Sequence, residues 1–423
     1  MSKVTESPRG ACVLGGINDV LGAVDRFCPI YHSGPGCCMQ TTAGEHSNSP
    51  FVSAVSIPCT NMLEKDVVFG AEEKLRSTID GAIEIIDAEA YFILVGCTAG
   101  IIGEDVESVA ADYRAQGKRV YAIDTPGFQG DGLLGYEIAF KAFLDNIVEK
   151  GLSKRKGLVN LLGIIPYRDP FWSGNFEELT RILRKLGLEV NTFFTEHQGF
   201  ENIRTSSQAE LNIIVNPYLL KSAAERYESE FGVPYLRYPG LPIGATDTTE
   251  FIRQVAEKLS LDSELVERVI AEEEDYVYSY LSYKGESLGW NRFAVVGDSA
   301  SAIGITRYLA NDASQTPLAV VITEPMYRPE DKLRIINTIT DLEYAKPPEI
   351  FFESDYSNII EKLDQFPDID MLIGSSSERE YCAKHGIFGC VMTFPIYDRT
   401  IINRGIVGYR GSLTLTEDLY NFN

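Results

Sequence analysis

Cysteine is the residue type in this sequence with the clearest capacity for chemistry, because its thiolate binds metals and takes part in redox reactions. There are eight cysteines, and all but Cys382 and Cys390 lie in the first hundred residues. In a large cytoplasmic chain, clustered cysteines more often hold a metal or carry redox chemistry than form a disulfide framework. The alternative is that most of them are small buried hydrophobic residues.

Three of the cysteines have the glycine neighbours expected around an inorganic cluster. Cys12 precedes a Val-Leu-Gly-Gly turn, Cys37 follows the loop Ser-Gly-Pro-Gly, and Cys97 follows Gly96 directly after an apolar run. Glycine lets the backbone approach a bulky cluster and point N–H groups at sulfur. The spacing matches neither a zinc site nor the compact ferredoxin run. Because a complete cluster normally has four cysteine ligands, another side chain or a partner chain must complete the set, and we favour a partner.

The other candidate ligands near these positions have simpler interpretations. Cys38 would replace its neighbour Cys37 only after a one-residue slip. His32 lies close enough in sequence to hydrogen-bond the cluster region, although a packed or surface histidine is an equal alternative. Four further cysteines are interpreted as structural: Cys28, Cys59, Cys382 and Cys390.

Short apolar runs alternate with amphipathic helical segments along the whole chain. Examples are the runs Tyr91–Val95, Leu211–Val215 and Phe293–Val296. This alternation predicts parallel sheets that are covered by helices on both faces. Ligands of such sheets bind beyond the carboxyl ends of the strands, and Cys97 falls at such an end.

The alternation restarts twice, which predicts an α/β fold of three Rossmann-like, doubly wound parallel-sheet subdomains. We place the first at residues 1-150, where most cysteines lie. The second spans 151-285 and includes a long connecting helix, and the third spans 286-423. Polar sequences at Lys150–Lys156 and Tyr283–Asn291 mark the seams.

The charge balance excludes several classes of partner. The chain has 38 Lys and Arg against 61 Asp and Glu, a formal charge of −23. This acid excess argues against broad binding to nucleic acids or to an anionic membrane surface. The amino-terminal sequence is polar, without the apolar core of a signal peptide. No apolar run reaches the ~18 residues of a membrane span. We therefore expect a soluble, cytoplasmic protein.

Four sequence strings together resemble the nitrogenase component 1 superfamily, in order and in their flanking glycines. The first two are Cys12-Val-Leu-Gly-Gly and Ile30-Tyr-His-Ser-Gly-Pro-Gly-Cys37. The others are Asp66-Val-Val-Phe-Gly70 and Gly96-Cys97-Thr-Ala-Gly-Ile-Ile-Gly-Glu-Asp105. The resemblance continues to the end of the chain. It implies a chain that pairs with a homologous α-like or β-like chain in an α2β2 assembly.

The resemblance also implies a cofactor. In this family each chain of a pair gives three cysteines to an interfacial [8Fe-7S] P-cluster, and the matching residues here are Cys12, Cys37 and Cys97. The α-like chain alone holds the catalytic cofactor, through one cysteine and one histidine. At those positions this chain has Asn216-Pro217-Tyr218 and the stretch Met392–Phe394. The chain therefore resembles a β-like subunit, which relays electrons and contributes no catalytic residue of its own.

The resemblance implies a second partner, an ATP-dependent iron–sulfur reductase. The sequence itself has no Gly-x-x-x-x-Gly-Lys-Ser/Thr phosphate loop, so ATP would be hydrolysed by that separate component. Phe69 matches a phenylalanine on the surface where the reductase docks, and the alternative is an ordinary core residue. Gly297-Asp298 follows a predicted strand, and we interpret Asp298 as a helix cap rather than as part of a nucleotide site.

Two departures from the family pattern bear on the reaction. Cys12 comes without the long preceding extension of dinitrogenase β chains. The string that carries the serine ligand of the oxidised P-cluster reads Thr125-Pro126-Gly127-Phe128 here. Both features favour a nitrogenase-like reductase, with methylthio-alkane reductase, which cleaves carbon–sulfur bonds, as the first hypothesis. A dinitrogenase β chain is the second. A non-enzymatic scaffold for nitrogenase cofactor assembly is the alternative from another class.

Overall fold

The computed structural model describes residues 9–39, 57–195, 197–284, 289–326 and 328–420. In these residues the strands form three sheets, and every pair of neighbouring strands within a sheet is parallel. The strands of the first sheet are β1 Phe27–His32, β2 Ala90–Val95 and β3 Val120–Asp124. Those of the second are β4 Leu158–Leu162, β5 Glu189–Asn191, β6 Leu211–Val215 and β7 Tyr235–Tyr238. Those of the third are β8 Arg292–Gly297, β9 Thr316–Ile322, β10 Glu349–Phe352, β11 Met371–Gly374 and β12 Phe388–Val391. The strand orders are β1-β2-β3, β5-β4-β6-β7 and β10-β9-β8-β11-β12.

Helices connect the strands and cover the sheets. Around the first sheet they are α1 Val13–Ala23, α2 Glu64–Phe69, α3 Glu72–Ile85, α4 Cys97–Ile102, α5 Val106–Ala115 and α6 Gly132–Asn146. Around the second they are α7 Trp172–Lys185, α8 Phe200–Arg204, α9 Lys221–Phe231, α10 Gly244–Leu259 and α11 Ser263–Lys284. Around the third they are α12 Ser299–Asn311, α13 Pro329–Thr340, α14 Tyr356–Leu363, α15 Arg379–His385 and α16 Gly408–Tyr420. Residues 35–39 are also helical.

The predicted fold class is confirmed, since three parallel sheets alternate with helices along the chain. Two strands were missed in the sequence. β1 contains Pro29 and ends at His32, and β7 contains Arg237, so neither forms an apolar run. Proline is tolerated in β1 because this strand lies at an edge of its sheet. The three-domain division at 1-150, 151-285 and 286-423 remains a proposal, and the second boundary lies outside the described residues.

Two glycine-lined helices bring the start of the described chain to the first sheet. α1 packs on α6 so closely that a Cβ on Gly16 would overlap the carbonyl oxygen of Gly132. A Cβ on Gly135 would lie 2.5 Å from the carbonyl oxygen of Val13. Only glycine permits this approach, because any side chain would separate the two backbones. The contact fixes the amino-terminal end of α1, where Cys12 lies.

The helices of the described residues differ from membrane spans in length or hydropathy. None of them combines the length and the apolar character that crossing a bilayer requires. The helix α7 packs Phe176, Leu179 and Leu183 into the main core and leaves charged residues outside, whereas α1 is buried on all sides.

Candidate iron–sulfur site

The carboxyl edge of the first sheet carries three consecutive segments of the candidate site. His32, Val95 and Asp124 lie side by side at the ends of β1, β2 and β3. The helical residues 35–39 with Cys37 follow the first strand, and Cys97 follows the second. The turn at Gly127 follows the third. Parallel strands end at the same edge of a sheet, so the fold gathers these segments by topology alone.

Cys12 reaches the same place from outside the sheet. It forms an isolated antiparallel bridge with Asp131, just before α6. The amide of Val13 donates a hydrogen bond to the Gly130 carbonyl oxygen at 3.1 Å. The close contact of α1 with α6 therefore holds Cys12 beside the turn that contains Gly127.

The thiols of Cys12 and Cys97 both face Gly127. A Cβ on Gly127 would lie 3.0 Å from Cys12 Sγ and 3.2 Å from Cys97 Sγ. The Gly127 amide donates a hydrogen bond to Cys97 Sγ at 3.1 Å. The third thiol is that of Cys37, and the charges of Cys12 and Cys97 act on it, so the three side chains are neighbours. The fold thus brings the three predicted ligands together, each of them partly exposed.

The electrostatics of this group suit a cationic cluster. Burial, and then the charges of Cys12 and Cys97, raise the pKa of the Cys37 thiol. Bound iron would reverse that effect, because metal cations favour coordination by thiolate. Cys12 precedes α1, Cys97 is the first residue of α4, and Cys37 lies within the helical residues 35–39. The positive ends of α1 and α4 therefore help to stabilise negative sulfur.

The donor set distinguishes a cluster from a single ion. Among the described residues, no three His, Cys, Asp or Glu side chains are grouped tightly enough to hold one metal ion. The ligands of a cluster bind different iron atoms and can lie farther apart, and thiolates are the ligands that iron–sulfur clusters take. The three thiols present fit the ligands of an iron–sulfur cluster.

The thiols of Cys38 and Cys59 lie beside this group. The sequence did not predict that these two cysteines are neighbours. The pKa of the Cys59 thiol is lowered to about 6, mainly by a hydrogen bond from Cys38. Cys59 is half-buried, which differs from the buried packing role that we expected. The other three structural cysteines are buried as expected, and burial raises their pKa values: Cys28, Cys382 and Cys390.

His32 is a packed histidine rather than a residue of the cluster surface. Its side chain is fully buried, with Nδ1 3.2 Å from Thr60 Oγ1 and Nε2 paired with Glu104. Burial lowers the pKa of the imidazole. Glu104 also accepts a hydrogen bond from the amide of Ala71. These bonds tie the end of β1 to the segment that follows α2.

An exposed apolar face lies next to the candidate cluster site. Its exposed side chains are Val68 and Phe69 at the end of α2, Ile101 of α4, which contacts α2, and Phe128, whose ring lies close to Gly100 of α4. Phe69 is 87% exposed, so the core interpretation of this residue is wrong. Gly70, at a φ of +86°, ends α2 and lets Phe69 project from the helix end. Its role in docking a reductase stays a prediction.

Residues at the two positions compared with the cofactor ligands of α-like chains are engaged in hydrogen bonds with the backbone. Asn216 Oδ1 accepts hydrogen bonds from the amides of Tyr218 and Leu219, at 3.1 and 2.9 Å. Thr393 donates a hydrogen bond from Oγ1 to the Val296 carbonyl oxygen at 2.7 Å. Neither side chain supplies sulfur or an imidazole nitrogen. The prediction that this cleft binds no catalytic cofactor remains to be tested.

The predicted role of Asp298 is confirmed. It precedes α12 and its Oδ1 accepts a hydrogen bond from the Ser301 amide at 2.9 Å, which is the geometry of a helix cap.

Comparison with known proteins decides the family. The model of the family described as nitrogenase component 1 type oxidoreductase matches residues 12–422. The chain belongs to this family. Among solved structures, nitrogenase Cp1 at pH 6.5 superposes with a TM-score of 0.80 at 21% identity, covering all of this chain and 90% of the other. At that identity the likeness concerns the fold, which is that of nitrogenase component 1.

Relatives within the nitrogenase family have different roles. The cofactor biosynthesis protein NifE of Clostridium pasteurianum is 26% identical over 420 residues, covering 97% of this chain and 86% of NifE. The nitrogenase molybdenum-iron protein beta chain of Methanothermobacter thermautotrophicus is 25% identical over 434 residues, covering 94% and 90%. The nitrogenase molybdenum-iron protein alpha chain of Clostridium pasteurianum is 29% identical over 306 residues, covering 69% of this chain and 56% of the alpha chain. The family contains both α and β subunits, and these comparisons leave the subunit type open.

Gly127 offers a direct test of the site. We expect Gly127→Ser to place a hydroxyl between Cys12 and Cys97 and to change the redox potentials of the bound cluster, because an oxygen ligand favours the more oxidised iron. Gly127→Ala is the matched control, since it adds the same Cβ without the oxygen. Both variants should retain most of the iron, and potentiometric titration followed by EPR should differ for serine alone. Identical titrations of the two variants would contradict the prediction.

Buried carboxyl groups in the cleft between the sheets predict a pH dependence of stability. Burial raises the pKa of Asp169 to about 7 and that of Glu324 to about 8. The folded pKa values exceed those of the unfolded chain, so protonation stabilises the fold. The contribution is full below about pH 4 and is lost as the pH rises through 7 to 8.

The midpoint temperature of unfolding should therefore fall between pH 6 and pH 8.5, as measured by calorimetry on the cluster-free chain. Glu324→Gln should flatten the upper part of this fall, because its amide does not ionise. The exposed Glu330→Gln is the control and should leave the slope unchanged. A midpoint that stays constant or rises with pH would contradict the prediction.

Proposed function

We propose that this chain is the β-like subunit of a nitrogenase-like α2β2 reductase. In this proposal it relays electrons from an ATP-dependent iron–sulfur reductase, through an interfacial [8Fe-7S] cluster, to a cofactor held by the α-like subunit. The favoured reaction of the complex is reductive cleavage of the carbon–sulfur bond of methylthio-alkanes. The observation that carries the proposal is the convergence of Cys12, Cys37 and Cys97 at one edge of the first sheet.

The cluster would be held half by this chain and half by the α-like subunit. Cys12, Cys37 and Cys97 would be the ligands from this side. When bound, the cluster supplies a store of electrons that accepts and donates them one at a time. This chain's own contribution is to hold the thiolates: the helix ends favour negative sulfur, and the Gly127 amide hydrogen-bonds Cys97 Sγ.

The cofactor of the complex belongs to the partner in this proposal. Asn216 and the stretch Met392–Phe394 match the positions where the family's α-like chains have cysteine and histidine. Asn216 accepts a hydrogen bond from the Tyr218 amide, and Thr393 donates one to the Val296 carbonyl oxygen. The exposed face around Phe69 lies beside the cluster ligands through the packing of α2 on α4. A reductase docked on this face would reach the cluster by a short path, as electron transfer requires.

Two other functions are supported by specific relatives. The beta-chain relative matches over 94% of this chain, which favours a dinitrogenase β chain. The NifE relative matches over 97%, which favours a scaffold for cofactor assembly. Gly127 counts against a dinitrogenase β chain, because dinitrogenase has in this sequence string a serine that supplies an oxygen ligand, and glycine has no such oxygen. The missing cofactor ligands do not separate the scaffold from the reductase, since the partner could hold the cofactor in both.

The deciding experiment purifies the chain anaerobically together with an α-like chain from the same organism. Reductase and ATP are added, with a methylthio-alkane in one assay and dinitrogen in another. Formation of the alkane and methanethiol supports the proposal, since two electrons and two protons convert R–S–CH3 into R–H and CH3SH. Ammonia alone identifies a dinitrogenase β chain. No turnover, with transfer of a bound cofactor to a cofactor-free component 1, identifies a scaffold.

A further inference from the structure

Two thiols that the proposed cluster does not need, those of Cys38 and Cys59, lie on neighbouring segments at the edge of the site. The Cys38 thiol hydrogen-bonds the Cys59 sulfur, and Cys38 Sγ also lies 3.5 Å from the Ile57 carbonyl oxygen. Cys59 Sγ lies 3.6 Å from the Ser33 carbonyl oxygen and 3.4 Å from the Asn61 amide nitrogen. These contacts place Cys38 against the segment that carries Cys59, and Cys59 against the segment that leads into the helical residues 35–39.

The two cysteines lie on segments of different character. Cys59 belongs to a short extended segment that bridges to Tyr31 of β1: the Tyr31 amide donates to the Pro58 carbonyl oxygen at 2.8 Å, and the Thr60 amide donates to the Tyr31 carbonyl oxygen at 2.9 Å. Cys38 lies in the helical residues 35–39, next to the proposed ligand Cys37. A covalent bond between them would tie the helical turn that carries Cys37 to the edge of the sheet.

Both thiols are also accessible in the isolated chain. Cys38 and Cys59 are partly exposed, whereas Cys28, Cys382 and Cys390 are buried. A small oxidant reaches partly exposed thiols first, and thiol–disulfide exchange needs an approach to sulfur along the line of the disulfide bond. Cys38 Sγ lies 3.5 Å from the Ile57 carbonyl oxygen, two residues before Cys59, so side-chain movement of the two neighbouring cysteines would suffice to reach the ~2.05 Å of a disulfide bond.

We infer that Cys38 and Cys59 form a redox-active dithiol, which a low-molecular-weight disulfide such as oxidised glutathione converts into a disulfide before the cluster is inserted. One thiolate attacks the small disulfide, forms a mixed disulfide and releases one small thiolate. The second thiolate then attacks the mixed disulfide and releases the other. One S–S bond breaks and one forms, two electrons pass to the small disulfide, and the two thiol protons end on the two released thiols.

The oxidised pair holds the Cys37 turn while its thiol has no iron, and reduction frees that turn to receive the cluster. This consequence depends on the proposed function, because it concerns cluster insertion. The disulfide itself does not depend on it. The two can therefore fail separately.

The test begins with the full-length chain, purified without a cluster and treated with oxidised glutathione. Trypsin leaves Cys28, Cys37, Cys38 and Cys59 on one peptide, since no lysine or arginine occurs between Arg26 and Lys65. A second cleavage after Glu45 separates Cys59 from the others, so a bond to Cys59 shows in mass spectrometry as two linked peptides.

The wild type should give the linked peptides, and its thiol count under denaturing conditions should fall by about two from eight. Cys37→Ser should retain the link, whereas Cys38→Ser and Cys59→Ser should lose it. A link that persists in Cys38→Ser, or a wild type that keeps all its thiols, overturns the inference.

Cluster insertion is then measured as iron uptake from ferrous iron and sulfide under anaerobic conditions. Reduced wild type and Cys59→Ser should reach the same iron content, while the oxidised wild type should load several-fold more slowly. A Cys59→Ser variant with less iron would make Cys59 a ligand and overturn the inference. If no form of the chain takes up iron with its partner, the proposed function fails, and the peptide map still decides on the dithiol.

Discussion

Replacement of Cys97 by alanine is expected to remove most of the cluster iron from the complex of this chain with its partner. Cys97 Sγ and Cys12 Sγ both face Gly127. Cys97 Sγ also accepts a hydrogen bond from the Gly127 amide, and Cys97 is the first residue of α4. Alanine leaves one iron without its thiolate. Iron content and low-temperature EPR of the anaerobically purified complex give the measurement.

The matched control for this variant is Cys59→Ala, which removes a partly exposed thiol from the same edge of the first sheet. Its iron content and EPR signals should equal those of the wild type. If Cys97→Ala retains the full iron content with unchanged EPR signals, Cys97 is not a ligand. Equal losses in both variants would indicate damage to the sheet edge instead of loss of a ligand.

Replacement of Phe69 by alanine is expected to weaken docking of the reductase and to leave the cluster intact. A central aromatic anchor contributes ~2 kcal/mol or more to an interface, and that corresponds to about a 30-fold higher reductase concentration at half-maximal turnover. The side chain is 87% exposed, so its removal creates no core cavity and should hardly change stability. Turnover measured over a range of reductase concentrations tests this, and saturating reductase should restore most of the rate.

Ile85→Ala is the matched control, because Ile85 is 83% exposed at the far end of α3 and lies outside the apolar face. It should leave the reductase dependence unchanged. A Phe69→Ala variant that matches the wild type at sub-saturating reductase would show that the face does not dock the reductase. Loss of iron or of partner binding in that variant would place Phe69 in the αβ interface.

The sequence was sufficient for the class of the fold but not for its first strand. The runs Tyr91–Val95 and Leu211–Val215 appear in the structure as β2 and β6, with β2 starting one residue earlier. They could be predicted because a strand buried on both faces is apolar throughout. β1 was missed because it contains Pro29 and ends in His32, whose polar ring is satisfied by Thr60 and Glu104 from elsewhere in the chain.

By itself, the sequence determined the repeated α/β architecture, the family resemblance and the three candidate ligands, because each of these is written in residue type and local spacing. Only the tertiary structure decided which distant residues lie next to each other. Cys12 reaches Cys97 through the glycine contact of α1 with α6. Cys38 meets Cys59 because β1, which the sequence did not reveal, holds the second segment in place. Such contacts join residues that are distant along the chain. They arise from the packing of whole helices and strands, for which local periodicity carries no information.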